Sequence, residues 1–471
     1  MSLLSSEGVV GRNFLRLAAG ETIARGIAFI STIYLARTLG AAMYGVIGVA
    51  AAILLYFNRI ADAEFDLVGA REISRDPAAL DRIGPSVVTA RLVMGTALAI
   101  VLSASALLVL PQPDGTVVAV YSLTLLAVAG STRWIHLGLG QTAYVAAARV
   151  AGAALMLFLL LILVHDAGDV ARVPLSALAG DALAALLLMW LLTRRGFSPP
   201  VELHWDAARP LFLQSAPLVL SALLGLLVYN ADLIFLRFLR GETTAGYYAA
   251  AYMIVSLAVN LGLSYRLSLL PTMTRLASAG DEQRELYHTA TAHVFAAVFP
   301  VALGGFLLGP RLLEVVFGAE FRPAASALTV LIWSVPLTVL RDVPIVALVA
   351  GQQEKRILRL QLWSAAVNIL LNIMLIPRFG MLGAAWATVT TEAVRLVLAL
   401  LLVRLDGYRL TSGNRFWRTA VAGATMAASL IVVRSAPLWI ALPLGAAVYL
   451  ITLAMLGGIR LRRGALPSLT V

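Results

Sequence analysis

Apolar runs of about 20 residues, the length that crosses a bilayer as a helix, recur along almost the whole chain. Hydrophobic residues make up 60% and charged residues 13% of the 471 positions, and the mean hydropathy is +0.89. A soluble globular domain is less apolar than this, and a disordered chain is far more polar. The sequence therefore predicts an all-α integral membrane protein.

Fourteen such runs are separated by short breaks that contain proline, glycine or charged residues. They lie near residues 17–38, 43–64, 85–110, 117–139, 143–164, 172–193, 210–236, 246–270, 288–309, 324–349, 358–376, 381–403, 417–434 and 437–457. The first run contains Glu21 and Arg25, which is more typical of a retained helix than of a cleavable signal peptide. We therefore expect about 14 transmembrane helices.

The basic residues between the runs are distributed unequally over the two sides of the membrane. With the N-terminus placed inside, the inner segments carry 20 Lys or Arg residues and the outer segments carry 6. Cytoplasmic loops are enriched in these residues, and the bias holds along the whole chain. The sequence thus predicts a multi-pass protein of the bacterial inner membrane with both termini in the cytoplasm.

The chain also contains an internal repeat. A shift of 201 residues aligns Ile33, Leu35, Gly40, Gly45 and Ala50 with Ile234, Leu236, Gly241, Gly246 and Ala251. A looser echo places Gly140-Gln141 and Gly351-Gln352 in front of the fifth and eleventh spans. Six spans separate the two copies, so both cross the membrane in the same direction. We predict an N-lobe at 1–195 and a C-lobe at 196–405, each with six helices, followed by two helices and a cytoplasmic tail at 406–471.

Three segments carry a family resemblance. Residues 34–45 (YLARTLGAAMYG), 230–236 (NADLIFL) and 368–388 (NILLNIMLIPRFGMLGAAWAT) occur in the expected order. They resemble the Wzx-like polysaccharide transporter family, which belongs to the superfamily of drug antiporters and lipid II flippases. The resemblance implies a flippase that moves polyprenyl (undecaprenyl)-pyrophosphate-linked oligosaccharide from the cytoplasmic to the outer leaflet by alternating access. Such a protein would serve O-antigen or exopolysaccharide biosynthesis.

Ten arginines lie inside the predicted spans, where each costs about 2.5–3.5 kcal/mol on insertion scales. Guanidinium groups bind phosphate oxygens bidentately and stay charged, so arginines in a cavity suit a pyrophosphate. The candidate pyrophosphate ligands are Arg25, Arg59, Arg266, Arg133, Arg91 and Arg149. The resemblance points to spans one, two and eight, where lipid II flippases place essential arginines.

Two simpler interpretations of these arginines stay open. Pairing along a helix would join Glu21 to Arg25 and Asp62 to Arg59, which makes Glu21 and Asp62 candidate pairing or gating acids. Snorkelling to the inner headgroups would account for Arg91, Arg149 and Arg395.

Polar residues in the second half are candidates for ion coupling. Asp232, Asn230, Asn372 and Glu392 lie inside spans, where oxygen ligands suit Na⁺ and a desolvated carboxylate can carry a proton. Interhelical hydrogen bonding is the structural alternative. The only lysine, Lys355, follows Gln-Gln-Glu, which excludes a Walker A loop, and the absence of cysteine excludes thiolate sites. We expect no cofactor or metal besides Na⁺ or H⁺ as a coupling ion.

The favoured prediction is a transporter without enzymatic activity. Its partners would be a lipid-linked oligosaccharide, membrane lipids, a polysaccharide polymerase and a chain-length regulator, and no nucleic acid. A lipid II flippase and a MATE-type multidrug or cation antiporter are the alternatives within the superfamily. A membrane polymerase or ligase is the enzymatic alternative, although the outer loop at 310–323 offers no acid/base pair of suitable spacing.

Substitution of Arg25 or Arg59 by alanine should abolish complementation of surface polysaccharide, because the cavity would lose a cation that replaces the hydration of the pyrophosphate. The measurement is polysaccharide synthesis in a flippase-deficient strain, with membrane expression of each variant as the control. Near-normal polysaccharide in both variants would contradict the assignment.

Overall fold

The computed structural model is almost entirely helical and describes residues 2–194, 196–197, 205–276, 280–408, 416–460 and 468–469. Within these ranges, two short strands, β1 (Ile459–Arg460) and β2 (Ser468–Leu469), pair antiparallel. The helices are α1 (Ser2–Asp62), α2 (Phe65–Arg75), α3 (Ala79–Val109), α4 (Asp114–Ser122), α5 (Thr124–Gly130), α6 (Arg133–Gly138), α7 (Thr142–Leu163), α8 (Arg172–Thr193), α9 (Trp205–Arg240), α10 (Glu242–Arg275), α11 (Gly280–Phe317), α12 (Ala325–Leu331), α13 (Ser334–Ala350), α14 (Glu354–Phe379), α15 (Met381–Arg404), α16 (Trp417–Val432) and α17 (Leu438–Met455).

These helices confirm the prediction of a multi-pass, all-α membrane protein. Eleven segments of the described ranges are long and apolar enough to cross a membrane, and the first of them, Arg16–Arg75, holds two predicted spans. Helix α10 and the shorter apolar helix α16 occupy the eighth and thirteenth predicted spans. The described helices thus account for all fourteen runs found in the sequence.

The repeat is visible in the backbone. Gly40 divides α1 into the first two spans and has φ 70° and ψ 174°. Gly241, its partner in the repeat, separates α9 from α10 and has φ 87° and ψ 173°. Only glycine adopts this region freely because it has no Cβ. Both copies therefore use the same glycine turn between their first two spans.

The fourth and tenth spans, predicted near 117–139 and 324–349, each consist of more than one helix. The fourth span consists of α4, α5 and α6, and the tenth of a 3₁₀ turn at Ala319–Ala324 followed by α12 and α13. The break between α5 and α6 falls at the polar residues Ser131 and Thr132, whereas the break between α12 and α13 falls at the apolar residues Ile332 and Trp333. Each broken span is followed by a residue with positive φ, Gly140 (69°) in one half and Gln352 (55°) in the other.

The structure forms two compact units, Met1–Asn230 and Ala231–Val471. The division lies inside α9, whereas the sequence places the lobe boundary at 195/196. The three-part division of the sequence stays a prediction, since residues 198–204 and 409–415 near its boundaries are outside the described residues.

The break between α5 and α6 is stabilised by Arg91 of α3. Its guanidinium donates hydrogen bonds to the backbone carbonyls of Val128 (3.0 Å), in the last turn of α5, and of Ser131 (3.1 Å), which follows the end of α5. It also bonds Asp62 Oδ1 (3.0 Å) at the end of α1 and lies over the ring of Phe65. The last carbonyls of a helix lack intrahelical partners, so a buried cation satisfies and stabilises them. Arg91 therefore holds the broken span in place.

Substitution of Arg91 by alanine should destabilise the protein by about 3 kcal/mol, because it leaves Asp62 and the carbonyls without their buried partner. Arg172→Ala is the matched control, since Arg172 pairs with Asp169 at 2.7 Å with 54% of its side chain exposed. The measurement is the apparent Tm of the detergent-solubilised protein. Equal Tm values for the two variants would show that the Arg91 contacts do not stabilise the fold.

Candidate functional site

A cavity of about 520 Å³ lies within the first unit. Its walls are formed by α1, α2, α3, α5, α6, α7 and α8, and most of the wall is small and apolar. The charged residues on the wall are Arg59, Arg91, Arg133, Arg149, Asp62, Asp66 and Asp181. Four of the predicted pyrophosphate ligands thus meet in one cavity, although each comes from a different helix.

Glycines bring two of the walls close together. A Cβ added at Gly152 of α7 would lie 2.6 Å from the carbonyl oxygen of Gly180 on α8, and a Cβ at Gly180 would meet Gly152 at the same distance. Side chains at these positions would therefore push α7 and α8 apart. The close contact places Arg149 of α7 and Asp181 of α8 on the same cavity wall.

Three of the four arginines of this cavity, Arg59, Arg91 and Arg133, are paired with carboxylates from other segments. Arg133 lies 3.2 Å from Glu21 Oε1 of α1 and 3.3 Å from Asp66 Oδ2 of α2. Arg59 pairs at 3.2 Å with Glu64, which lies between α1 and α2.

The predicted pairs Glu21–Arg25 and Arg59–Asp62 are therefore wrong. Asp62 pairs with Arg91, and Glu21 with Arg133. Spacing along one helix suggests a neighbour, but packing offered these carboxylates a cation from another helix that is shielded from solvent. Two acids of the site, Glu64 and Asp66, were not selected from the sequence. The alternation Asp62-Ala-Glu-Phe-Asp66 at the end of a span was the available signal.

Exposure divides these arginines into two groups. The Arg91 side chain is 1% exposed and is fully engaged by the protein, whereas Arg59 and Arg133 are 47% and 37% exposed. Arg149 is also exposed. Snorkelling is wrong for Arg91, because its charge is held inside the protein. Arg59, Arg133 and Arg149 have guanidinium surface that a ligand can reach.

Arg25 and Arg266 do not line this cavity. Arg25 is exposed and makes no ion pair or hydrogen bond with the described part of the chain. Arg266, on α10 in the second unit, is 41% exposed and lies 3.9 Å from Asp342 of α13. Both therefore have free guanidinium surface outside the cavity.

In the second unit, one face of α15 carries four buried polar residues, Thr388, Thr391, Glu392 and Arg395. Glu392 accepts hydrogen bonds from Arg341 (2.6 Å) and Arg395 (2.5 Å). Arg395 is therefore paired inside the protein, and snorkelling is wrong for it as well. Glu392 is 1% exposed and is held between two cations.

Asp232 of α9 is buried at the other end of this polar face. Its carboxylate accepts hydrogen bonds from the hydroxyl groups of Tyr248 and Thr388, the latter at 3.0 Å. Neither partner is cationic, in contrast to those of Glu392. Asp232 is thus surrounded by oxygen atoms rather than by arginines.

Two buried asparagines of α14 extend the polar face. Asn372 donates to Asn368 Oδ1 (3.0 Å), and Asn368 donates to the hydroxyl of Thr391 (3.4 Å). The Oδ1 atom of Asn372 is buried and has no hydrogen-bond partner within the described residues. Asn230 stays outside this group, since its amide donates to the carbonyl of Leu226 in its own helix (3.2 Å). Asp232 and Asn372 therefore offer the oxygen-rich surroundings that a Na⁺ ion prefers.

Comparisons with known proteins agree with this fold. The sequence profile of the family described as polysaccharide biosynthesis protein matches residues 10–277. Two proteins of Haloferax volcanii are similar: the probable low-salt glycan biosynthesis flippase Agl15, 25% identical over 242 residues, and the probable flippase AglR, 30% identical over 178 residues. The matched segments span 50% of this chain and of Agl15, and 36% of this chain and of AglR.

Solved structures share the architecture. The lipid II flippase MurJ, in an inward closed conformation, has a TM-score of 0.75 at 13% identity, with 93% of this chain and 98% of that chain covered. An inward-facing multidrug resistance MATE transporter of the MOP superfamily has a TM-score of 0.67 at 17% identity, with 84% and 98% covered. The resemblance found in the sequence is thus confirmed: the chain belongs to the polysaccharide biosynthesis protein family and has the fold shared by MurJ and the MATE transporters.

Proposed function

We propose that the protein moves a polyprenyl-pyrophosphate-linked oligosaccharide from the cytoplasmic to the outer leaflet of the bacterial inner membrane by alternating access. The observation that carries this proposal is the cavity of the first unit, where arginines from four helices meet between apolar walls. The name of Agl15, a probable low-salt glycan biosynthesis flippase, supports a glycan as the sugar part. The product would enter O-antigen or exopolysaccharide biosynthesis.

The chemistry of the cavity suits a diphosphate. A pyrophosphate that leaves the headgroup layer loses hydration, and charge-assisted hydrogen bonds from guanidinium groups replace it. Arg59, Arg133 and Arg149 are the accessible donors. Arg91 would act by holding Asp62 and the end of α5 in position. Arg25 and Arg266, which are exposed outside the cavity, would meet the same anion at other stages of transport.

Arg149→Gln should slow flipping about ten- to one-hundred-fold, since a hydrogen bond to a charged group contributes about 1.5–3 kcal/mol. Within the described residues, Arg149 makes no ion pair within 4 Å. The substitution therefore tests ligand binding without removing an ion pair of the protein. The measurement is translocation of a fluorescent polyprenyl-pyrophosphate oligosaccharide in proteoliposomes, and Arg172→Gln is the control outside the cavity. Wild-type rates for Arg149→Gln would argue against the cavity as the pyrophosphate site.

Two other substrate classes are alternatives, and the arginines of the cavity suit one of them and not the other. Lipid II also carries a polyprenyl pyrophosphate, so the same arginines would bind it. A cationic drug would meet the exposed guanidinium groups of Arg59, Arg133 and Arg149, which disfavour it. Complementation of a lipid II flippase strain would separate the first alternative from the oligosaccharide flippase.

Transport is proposed to be coupled to a Na⁺ or H⁺ gradient through the second unit. Asp232 is the preferred coupling residue, because hydroxyl groups rather than arginines surround its buried carboxylate. Asn372 contributes an unpartnered buried oxygen. Glu392 is less suited to ion coupling than Asp232, because its carboxylate is held in ion pairs with Arg341 and Arg395. Asn230 would contribute to ion binding only if its side chain moved away from the carbonyl of Leu226, to which its amide donates.

Asp232→Asn should remove the dependence of flipping on an imposed ion gradient, because the amide is isosteric but carries no charge to bind Na⁺ or H⁺. Proteoliposomes with Na⁺ or pH gradients of either sign provide the measurement. Asp206→Asn, an exposed position on the same helix, is the control. If the Asp232 variant responds to the gradient as the wild type does, Asp232 is not the coupling residue.

We also infer that both termini lie in the cytoplasm, from the excess of basic residues in the inner segments. A polysaccharide polymerase and a chain-length regulator are the proposed partners on the outer side. Cysteine accessibility at introduced terminal positions tests the orientation in a chain that has no native cysteine.

A further inference from the structure

We propose that Glu64 and Asp66 determine specificity, by occupying Arg59 and Arg133, two of the accessible arginines of the cavity, so that a diphosphate binds more tightly than a single phosphodiester. This inference rests on the proposed function, because it concerns the same cavity and the same anion. It assigns a task to two acids that follow directly after α1.

The segment Asp62-Ala-Glu-Phe-Asp66 supplies one carboxylate to each of three arginines from different helices. Asp62 pairs with Arg91 of α3, Glu64 with Arg59 of α1, and Asp66 with Arg133 of α6. We call this segment the acidic junction. Within five residues it directs three acids to arginines that line one cavity, an alternation that a regular helix would not give.

The backbone of the acidic junction is held in an unusual conformation. Ala63 (φ 51°) and Glu64 (φ 54°) are consecutive non-glycine residues in the left-handed region. Each costs about 1–2 kcal/mol relative to a right-handed conformation. The contacts around the segment offset this conformational cost. They include the ion pairs of Asp62, Glu64 and Asp66. Such strain marks a segment whose geometry serves more than packing.

The carboxylates around the cavity outnumber its arginines in the absence of substrate. Its four arginines touch or face five carboxylates, Glu21, Asp62, Glu64, Asp66 and Asp181. An anion therefore gains little from the cavity as a whole, and it must replace a carboxylate at Arg59 and at Arg133, whereas Arg149 makes no ion pair within the described residues. This matters in a membrane, where phospholipid headgroups with one phosphodiester are present in large excess.

A diphosphate meets this requirement and a phosphodiester does not. Two linked phosphates would engage Arg59 and Arg133 together, so the second contact forms at high effective concentration, and each arginine receives a phosphate in place of its partner from the acidic junction. A single phosphodiester carries one charge and replaces one partner. At Arg133 it would compete with both Glu21 and Asp66. Asp62 stays with the buried Arg91 in either case and anchors the acidic junction.

The experiment compares two ligands that differ by one phosphate. Farnesyl-pyrophosphoryl-N-acetylglucosamine and farnesyl-phosphoryl-N-acetylglucosamine are titrated into the purified full-length protein in detergent, and their Kd values are measured by calorimetry. The wild type should bind the pyrophosphoryl ligand at least ten-fold more tightly. In the double variant Glu64→Gln/Asp66→Asn, the phosphoryl ligand should bind at least ten-fold more tightly than in the wild type, and the preference should fall below three-fold.

The matched control is Glu72→Gln, which removes a carboxylate from α2 outside the cavity and should leave the preference unchanged. A monodisperse size-exclusion profile shows that each variant is folded. If the double variant is not monodisperse, the single variant Glu64→Gln is measured in its place. It should lose part of the preference for the pyrophosphoryl ligand. In proteoliposomes, phosphatidylglycerol should inhibit flipping by the double variant more strongly than flipping by the wild type.

The outcomes separate this inference from the proposed function. If the wild type binds the pyrophosphoryl ligand and the double variant keeps the full preference, the acidic junction does not determine specificity and the proposed function stands. Failure of the wild type to bind the pyrophosphoryl ligand at all would overturn both.

Discussion

In the hydrocarbon layer no water is available to backbone N–H and C=O groups, so each interruption of a helix needs a partner from within the protein. The fourth span is interrupted where α5 ends, and Arg91 provides the partner by donating to the carbonyls of Val128 and Ser131. The same guanidinium binds Asp62 at the end of α1. One buried cation therefore joins three segments, and the cavity beside it exists because these segments are held in place.

The remaining charges of the cavity follow the same requirement. A buried or half-buried charge in a membrane is tolerated when it is paired, and three of the four ion pairs at the cavity join elements that are distant in sequence. Pairing also limits what the cavity can bind, since Arg59 and Arg133 already have carboxylate partners. Glu392 and Asp232 illustrate the same contrast in the second unit. Glu392 is paired with two arginines, whereas Asp232 accepts hydrogen bonds from hydroxyl groups and has no arginine among these partners.

The sequence predicted much of the fold because bilayer thickness and hydropathy constrain helix length directly. The spans, the glycine turns at Gly40 and Gly241 and the repeat all came from local patterns. Four of the candidate arginines also proved to share one cavity, since arginine inside an apolar span is costly and must face a polar interior. The breaks in the fourth and tenth spans did not follow from hydropathy, because each run is long and apolar enough overall to be one continuous helix.

The amino-acid sequence by itself determined that this chain is a helical membrane protein with a cationic interior, since residue type alone fixes the cost of leaving water. Tertiary structure decided which charges neutralise one another. Arg25 lies four residues from Glu21, yet Glu21 pairs with Arg133, and Asp62 pairs with Arg91. The physical reason is that Coulomb energy depends on distance and burial after packing, and neighbours along one helix are only some of the partners that packing brings near.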